Sequence, residues 1–239
     1  MPGFARRLLT HIERRVSAKA MVHIIPGRDR YDYETDRQWV VRNTPNADDL
    51  QRAFEMDVPE KPGPFVVYAN GWLGETRGLP IVNALAKHFA DDNRVHFVIA
   101  GRIDGPSAQE VVTLPNVTYF GEVSSDQALA YSRIADVLVT LYDPSIEINR
   151  YAESNKWGDA IFIGLPVLVN EEVVTSRFLQ EAGAAFTFPY NDTTKAAAIL
   201  DELVSNPEQC KAARDRVITL RGQLKHFDDE MRSLLAKLK

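Results

Sequence analysis

Three stretches of the chain carry residue types suited to holding a charged ligand. The first is Asn70-Gly71-Trp72-Leu73-Gly74-Glu75-Thr76-Arg77-Gly78, which follows an apolar run and precedes a helical pattern. Its glycines permit a tight turn and close backbone approach. A helix start offers unpaired N–H groups and a positive dipole end to a phosphate, and Arg77 adds a forked cationic donor. The stretch is neither a Walker loop nor a GxGxxG fingerprint, and plain chain reversal would use the same residues. The second signal is a pair of glycines after apolar runs, in Ala100-Gly101-Arg102 and Phe120-Gly121-Glu122-Val123. The third is Glu153-Ser154-Asn155-Lys156-Trp157-Gly158-Asp159-Ala160, where Ser154 or Asn155 suits an N-cap. A helix over 155–163 puts Asp159 one turn beyond Asn155 and Lys156, on the same side. Lys156 and the helix start then suit a diphosphate, and the Asp159 carboxylate suits the hydroxyls of a ribose. An ordinary capped helix with solvated charges is the alternative.

The elements that must position these residues are legible in the hydrophobic pattern. Apolar runs at 65–69, 95–100, 117–120, 137–141, 166–169 and 184–188 read as strands. Helical segments are expected at 78–90, 125–134, 155–163, 175–182 and 193–205, with a longer one over 207–237. Continuous apolar strands alternating with helices predict a doubly wound, Rossmann-like parallel sheet covered on both faces. Ligands of such sheets bind outside the carboxyl ends of the strands, where all three stretches fall. Upstream, Phe4, Leu8, Ile12 and Val16 recur every fourth residue between arginines and predict a helix over 4–18. Short strands at 20–25 and 39–41 and a helix over 47–56 follow. Three prolines within 59–64 suggest a linker, dividing the chain into an N-terminal segment, 1–58, and a main α/β domain, 59–239.

Composition narrows the function. The chain has 239 residues, 45% hydrophobic and 26% charged, with net charge −5, so no global nucleic-acid footprint is present. One cysteine, Cys210, cannot form an internal disulfide. The five histidines are scattered and give no ligand spacing, so no metal site is expected. No apolar run approaches the length of a membrane-spanning helix and no signal peptide is visible. A soluble, cytoplasmic protein is expected. Arginines beside an apolar stripe leave open a peripheral contact with the inner face of a membrane; the simpler expectation is that the 4–18 helix packs on its own domain.

The order of these pieces resembles the C-terminal, donor-binding domain of GT-B fold glycosyltransferases of the retaining family-4 group. The resemblance rests on Gly71-Trp72-Leu73 with Arg77-Gly78, on Ala100-Gly101, on Asn116 to Val123, and most on Ser154 to Ala160 with Gly164-Leu165-Pro166-Val167. It covers most of 65–216, and Val40 to Asn46 resembles the crossover from the N-terminal domain. Residues 4–25 then correspond to the last helix and strand of that domain.

The resemblance implies a nucleotide-diphosphate sugar as donor substrate, no cofactor, and transfer with retention to a glycan or lipid-linked acceptor in polysaccharide biosynthesis. Arg77 matches the basic residue on the diphosphate, Asp159 the second acid of a pair, which holds the ribose, and the backbone at Glu122 and Val123 the segment lining the base. Ser154, Asn155 and Lys156 match the loop and helix start near the diphosphate. The implied catalytic set is Arg77, Lys156 and Asp159; the implied binding set is Gly71, Trp72, Gly101, Arg102, Glu122, Val123, Ser154 and Asn155. Two departures stand out. Trp72 occupies the place of a second basic residue, for which Lys156 or Arg102 would substitute. Tyr151 occupies the place of the first acid, which Glu147 or Glu153 would replace only with a shifted loop. An acceptor domain supplied by a partner chain, a truncated enzyme and a non-catalytic binding module all remain open.

Overall fold

The computed structural model describes residues 3–238. The chain begins with α1 (Gly3–Lys19), β1 (His23–Ile25), β2 (Gln38–Val40) and α2 (Ala47–Glu55). It continues through β3 (Phe65–Asn70), α3 (Leu79–His88), β4 (Val95–Ala100), α4 (Pro106–Val111), β5 (Val117–Tyr119) and α5 (Ser125–Tyr131). The second half holds β6 (Val137–Thr140), α6 (Asn155–Ile163), β7 (Val167–Asn170), α7 (Arg177–Glu181), β8 (Ala185–Phe188), α8 (Thr193–Ser205), α9 (Pro207–Arg221) and α10 (Phe227–Lys237). All six expected strands of the main sheet are present. Pro106 to Val111 forms a short helix that carries too little periodicity to stand out in the sequence.

The six strands pair in parallel in the order β5-β4-β3-β6-β7-β8. This is the doubly wound arrangement, and the order reverses between β3 and β6. Alternate residues of β3 feed two cores. Phe65, Val67 and Ala69 pack with Leu79, Val82 and Leu85 of α3 and Leu200 of α8. Val66 and Tyr68 pack with Trp157 and Ile161 of α6 and Val217 of α9. Helices on both faces explain why all six residues of β3 are buried.

The N-terminal part is built differently. β1 and β2 form a separate two-stranded parallel sheet. Helix α1 forms where its periodicity predicts, and it rests on the protein through its polar side, but its apolar stripe does not pack there. Phe4 is 80% exposed, Val16 63%, and Leu8 and Ile12 are half exposed. The opposite side faces inward: Ser17 is buried, its hydroxyl bonded to His23 Nδ1 at 2.7 Å and near Thr35 Oγ1 at 3.1 Å. The stripe therefore points away from the body because polar partners, not apolar ones, fix the helix in place.

Several contacts tie the two parts together. Gly158 of α6 lies against the backbone of Asn43 and Thr44, where any Cβ would collide with the Asn43 carbonyl. Arg42 pairs with the buried Glu153 at 3.0 Å and stacks on Phe178 at 3.8 Å. Helix α2 lies along α5, with Ala53 against Leu129 and Ala130. The expected long helix 207–237 is two helices, because the chain turns at Gly222. That turn sends α10 back to the N-terminal part, where Trp39 Nε1 donates to Glu230 Oε1 at 2.8 Å.

Candidate functional site

The carboxyl ends of β3 and β6 open on a cleft at the switch point. One part of it, about 190 Å³, is lined by Asn70, Trp72, Arg77, Tyr142 and Lys156 among others. A second, about 150 Å³, is lined by Gly71, Gly101, Val123, Asn155 and Asp159 among others. Asn70 and Lys156 line both. Neither part alone reaches the roughly 300–1,000 Å³ of a typical ligand pocket, so a ligand of ordinary size must span the two.

Glycines shape the floor. Gly71 and Gly101 have φ of +86° and +127°, a region that disfavours side chains. A Cβ on Gly101 would strike the Gly71 backbone, so the close passage of the two loops demands glycine. A Cβ on Gly71 would meet Lys156 Cε at 2.9 Å and Nζ at 3.0 Å, so the lysine side chain lies directly over this turn.

The electrostatics single out two cations. Arg77 sits 5.0 Å from the Tyr142 ring centroid and 5.9 Å from that of Trp72. Lys156 lies in the floor, where burial lowers its pKa, Asp159 opposes that shift and Arg77 adds to it. Among the described residues neither forms an ion pair. Arg77, with no carboxylate within ion-pair distance among the described residues, and Lys156, offset only through space by Asp159, leave net positive charge at the sheet switch point and a local demand for an anion. Asp159 is pushed up to about 6 by burial, against the pull of Lys156 and with a smaller push from Asp49. It is the only carboxylate among the residues lining the two parts. Helix α6 begins beside Lys156 with no side-chain cap; Trp157 N bonds Ser154 O at 3.3 Å, and the Asn155 and Lys156 amides, at residues lining the cleft, have no partner among the described residues.

The start of α3 is different from expectation. Its amides are taken by its own loop, Leu79 N bonding Gly74 O at 3.2 Å and Val82 N bonding Gly78 O at 2.9 Å. The Gly78 backbone also meets the Tyr190 hydroxyl. The anion-facing helix start is thus that of α6.

Of the residues singled out from sequence, Gly71, Trp72, Arg77, Gly101, Val123, Asn155, Lys156 and Asp159 come together at the cleft. Three do not line it. Arg102 turns aside to Asp104 at 3.4 Å. Glu122, nominated for its backbone, is not among the lining residues, and its side chain is exposed. Ser154 is buried behind the cleft, beside Tyr142. Trp72 is anchored by its Nε1 donating to Asp104 Oδ2 at 2.7 Å. Nor does any carboxylate replace the first acid at the cleft. Tyr151 and Glu147 line a separate cavity beside α1, and Glu153 is buried against Arg42. Sequence reading passed over Asn70 and Tyr142. Asn70 is the polar residue ending an otherwise apolar strand, a signal that was available; its Oδ1 is buried without a hydrogen-bond partner. Among the described residues no three His, Cys, Asp or Glu side chains gather as metal ligands.

With this geometry in view, comparison with solved structures is decisive for the fold. A glycosyltransferase from Rickettsia africae superposes with a TM-score of 0.68 at 14% identity, covering 100% of this chain and 67% of its own. The HepE protein of Anabaena, solved in complex with UDP-glucose, gives 0.66 at 12% identity, covering 97% of this chain and 67% of its own. The fold is that of a GT-B half-domain. A C-terminal domain of a group 1 glycosyl transferase from Francisella tularensis covers 74% of this chain and 94% of its own, with a TM-score of 0.53 at 14% identity. The chain spans about half to two thirds of the length of the first solved chains it matches, 46% of TarM and 60% of WaaG. No family model matches it, and no curated protein matches it in sequence. The half-domain fold is therefore established by shape alone.

Proposed function

We propose that the cleft binds a nucleotide-diphosphate sugar. On this reading the chain is the donor half, 59–239, of a retaining, hexosyltransferase-like enzyme of polysaccharide biosynthesis in the cytoplasm. Segment 1–58 is then the tail of an acceptor half. The observation that carries the reading is the pair of cations, Arg77 and Lys156, with only Asp159 to offset them, beside the uncapped start of α6 at the switch point. UDP-glucose in the HepE structure adds support from a protein of the same fold.

A diphosphate between Arg77 and Lys156 leaves the nucleoside on the side of Gly101, Val123 and Asp159. Asp159, ionised above about pH 6, accepts from the ribose hydroxyls, and Asn70 Oδ1 offers a further acceptor. In transfer, the bond from the sugar's anomeric carbon to the diphosphate breaks, and the acceptor oxygen bonds that carbon on the same face. A departing phosphate oxygen takes the acceptor's proton. Arg77, Lys156 and the α6 amides stabilise the charge that develops on the leaving group. The reading calls for no metal or further cofactor, since these groups supply the positive charge. A glycan or lipid-linked acceptor would be held with help from an acceptor domain, contributed by a partner chain.

Calorimetric titration with UDP, GDP and ADP tests the donor reading. We expect one diphosphate to bind, and Arg77→Ala and Asp159→Ala each to weaken it by about tenfold or more, the loss of one charge-assisted contact. Absence of binding to all three would overturn it. A second reading, a non-catalytic nucleotide-sugar-binding subunit, is favoured by Trp72 and Tyr151 standing where charged residues are expected. Binding without turnover, even with a complementing acceptor domain, would select it.

A further inference from the structure

Helix α1 presents to solvent the side that a helix normally hides. Thr10, Glu13 and Ser17 recur at helical spacing on its inner side. Ser17 there is buried and bonded to His23, and Thr10 and Glu13 face a cavity. Phe4, Leu8, Ile12 and Val16 share the outer side. The charges are as uneven as the apolar groups. Residues 1–19 carry five basic side chains and one acidic, in a chain whose net charge is −5. The acidic one, Glu13, lies on the inner side. Arg7, Arg14, Arg15 and Lys19 are exposed, and among the described residues none of them forms an ion pair.

We propose that α1 is a membrane-surface anchor, lying in the headgroup region of an anionic bilayer with its stripe toward the acyl chains. An exposed apolar stripe flanked by unpaired cations has the two complementary halves that such a surface needs. The stripe enters the apolar boundary, while the long arginine and lysine side chains reach the lipid phosphates. The acceptor half of the proposed enzyme, seated on this face instead, would have to supply carboxylates to the exposed cations as well as an apolar surface. A bilayer containing anionic lipid supplies negative charge and apolar surface at once. Binding of that acceptor half to this protein, abolished by Ile12→Asp, would equally overturn the proposal. The inference does not depend on the donor reading: α1 lies outside the cleft, and its loss leaves Arg77, Lys156 and Asp159 untouched.

Vesicle flotation of the purified protein tests this. The probes are phosphatidylcholine vesicles with and without about a quarter phosphatidylglycerol, an anionic fraction that attracts basic segments. We expect binding to the anionic vesicles at least about tenfold stronger than to the neutral ones, weakening as salt screens the charges. Ile12→Asp should abolish it by placing a charge in the stripe. The pair Arg14→Gln and Arg15→Gln should weaken it while leaving the stripe intact, which gives a second test should Ile12→Asp fold poorly. Titration of the same variants with UDP reports on the donor cleft separately and should be unchanged. No binding to anionic vesicles, equal binding to both kinds, or binding indifferent to these substitutions would overturn the proposal. So would a dimer in solution, seen by light scattering, that Ile12→Asp dissociates, since the stripe would then be an interface between copies of this chain.

Discussion

The six-stranded part and the N-terminal part of this chain use the same kinds of element and reach opposite outcomes. Around the main sheet, helices cover both faces and the largest side chains vanish from solvent, with Trp157, Tyr68, Phe97 and Phe188 almost wholly buried. In the N-terminal part, a two-stranded parallel sheet stands apart and its preceding helix exposes its large apolar residues. A parallel sheet becomes stable by being covered. The difference teaches that the main domain holds itself together, whereas the N-terminal segment is held mainly by what it docks on: Gly158, Glu153 and α10.

Substitutions should separate the two parts sharply. The largest effect belongs to Trp157→Ala. Its ring is fully buried in α6, and its Nε1 donates to Thr140 Oγ1 at 2.8 Å. We expect a loss of about 3–5 kcal/mol in denaturant unfolding. A loss under 1 kcal/mol would mean that the main core is looser than its burial implies. Gly158→Ala comes next. Its Cβ must push away the backbone at Asn43, at a cost of about 1–3 kcal/mol. Amide exchange should rise in residues 38–46 and stay unchanged in β3 and β4. Uniform loosening of both parts would show that they unfold as one unit.

The ion pair between the parts sharpens the comparison through pH. Burial raises Glu153 from 4.5 to about 7, although Arg42 pulls it down. Between those values the folded chain holds a proton that the unfolded chain has released, so stability falls as pH rises from about 4.5 through 7. Glu153→Gln should flatten that decline, removing a pH-dependent contribution on the order of 1–3 kcal/mol. A slope unchanged by the substitution would contradict it. The smallest effect is expected at Ile12→Ala. With Ile12 half exposed, the melting temperature of the isolated protein should shift by no more than about 0.5 kcal/mol implies. A large loss would place α1 in a packed environment.

Much of the main domain was legible because its signals are local. Six apolar runs fixed six strands, and the helix expected over 155–163 matches α6, with Ser154, one of the two candidate N-caps, before it. Gly71, Arg77, Lys156 and Asp159 could be nominated because strand ends in such sheets carry the ligand. What escaped was decided at a distance. Arg102 looked eligible as a substitute cation beside Arg77, yet Asp104 draws it aside. Tyr142 reaches the cleft because β6 lies beside β3, a pairing of residues some seventy positions apart. The break between α9 and α10 was announced only by Gly222, and its reason is the contact with Trp39 nearly two hundred residues upstream.

The sequence by itself determined the doubly wound class and the strand ends that face a ligand. Periodicity, glycine and capping residues act within a few positions of where they stand. Only the tertiary structure decided which cations remain unpaired, which carboxylate shares their cleft, and which way α1 turns its stripe. Each of those depends on the charge or the surface that a distant segment brings within a few ångströms.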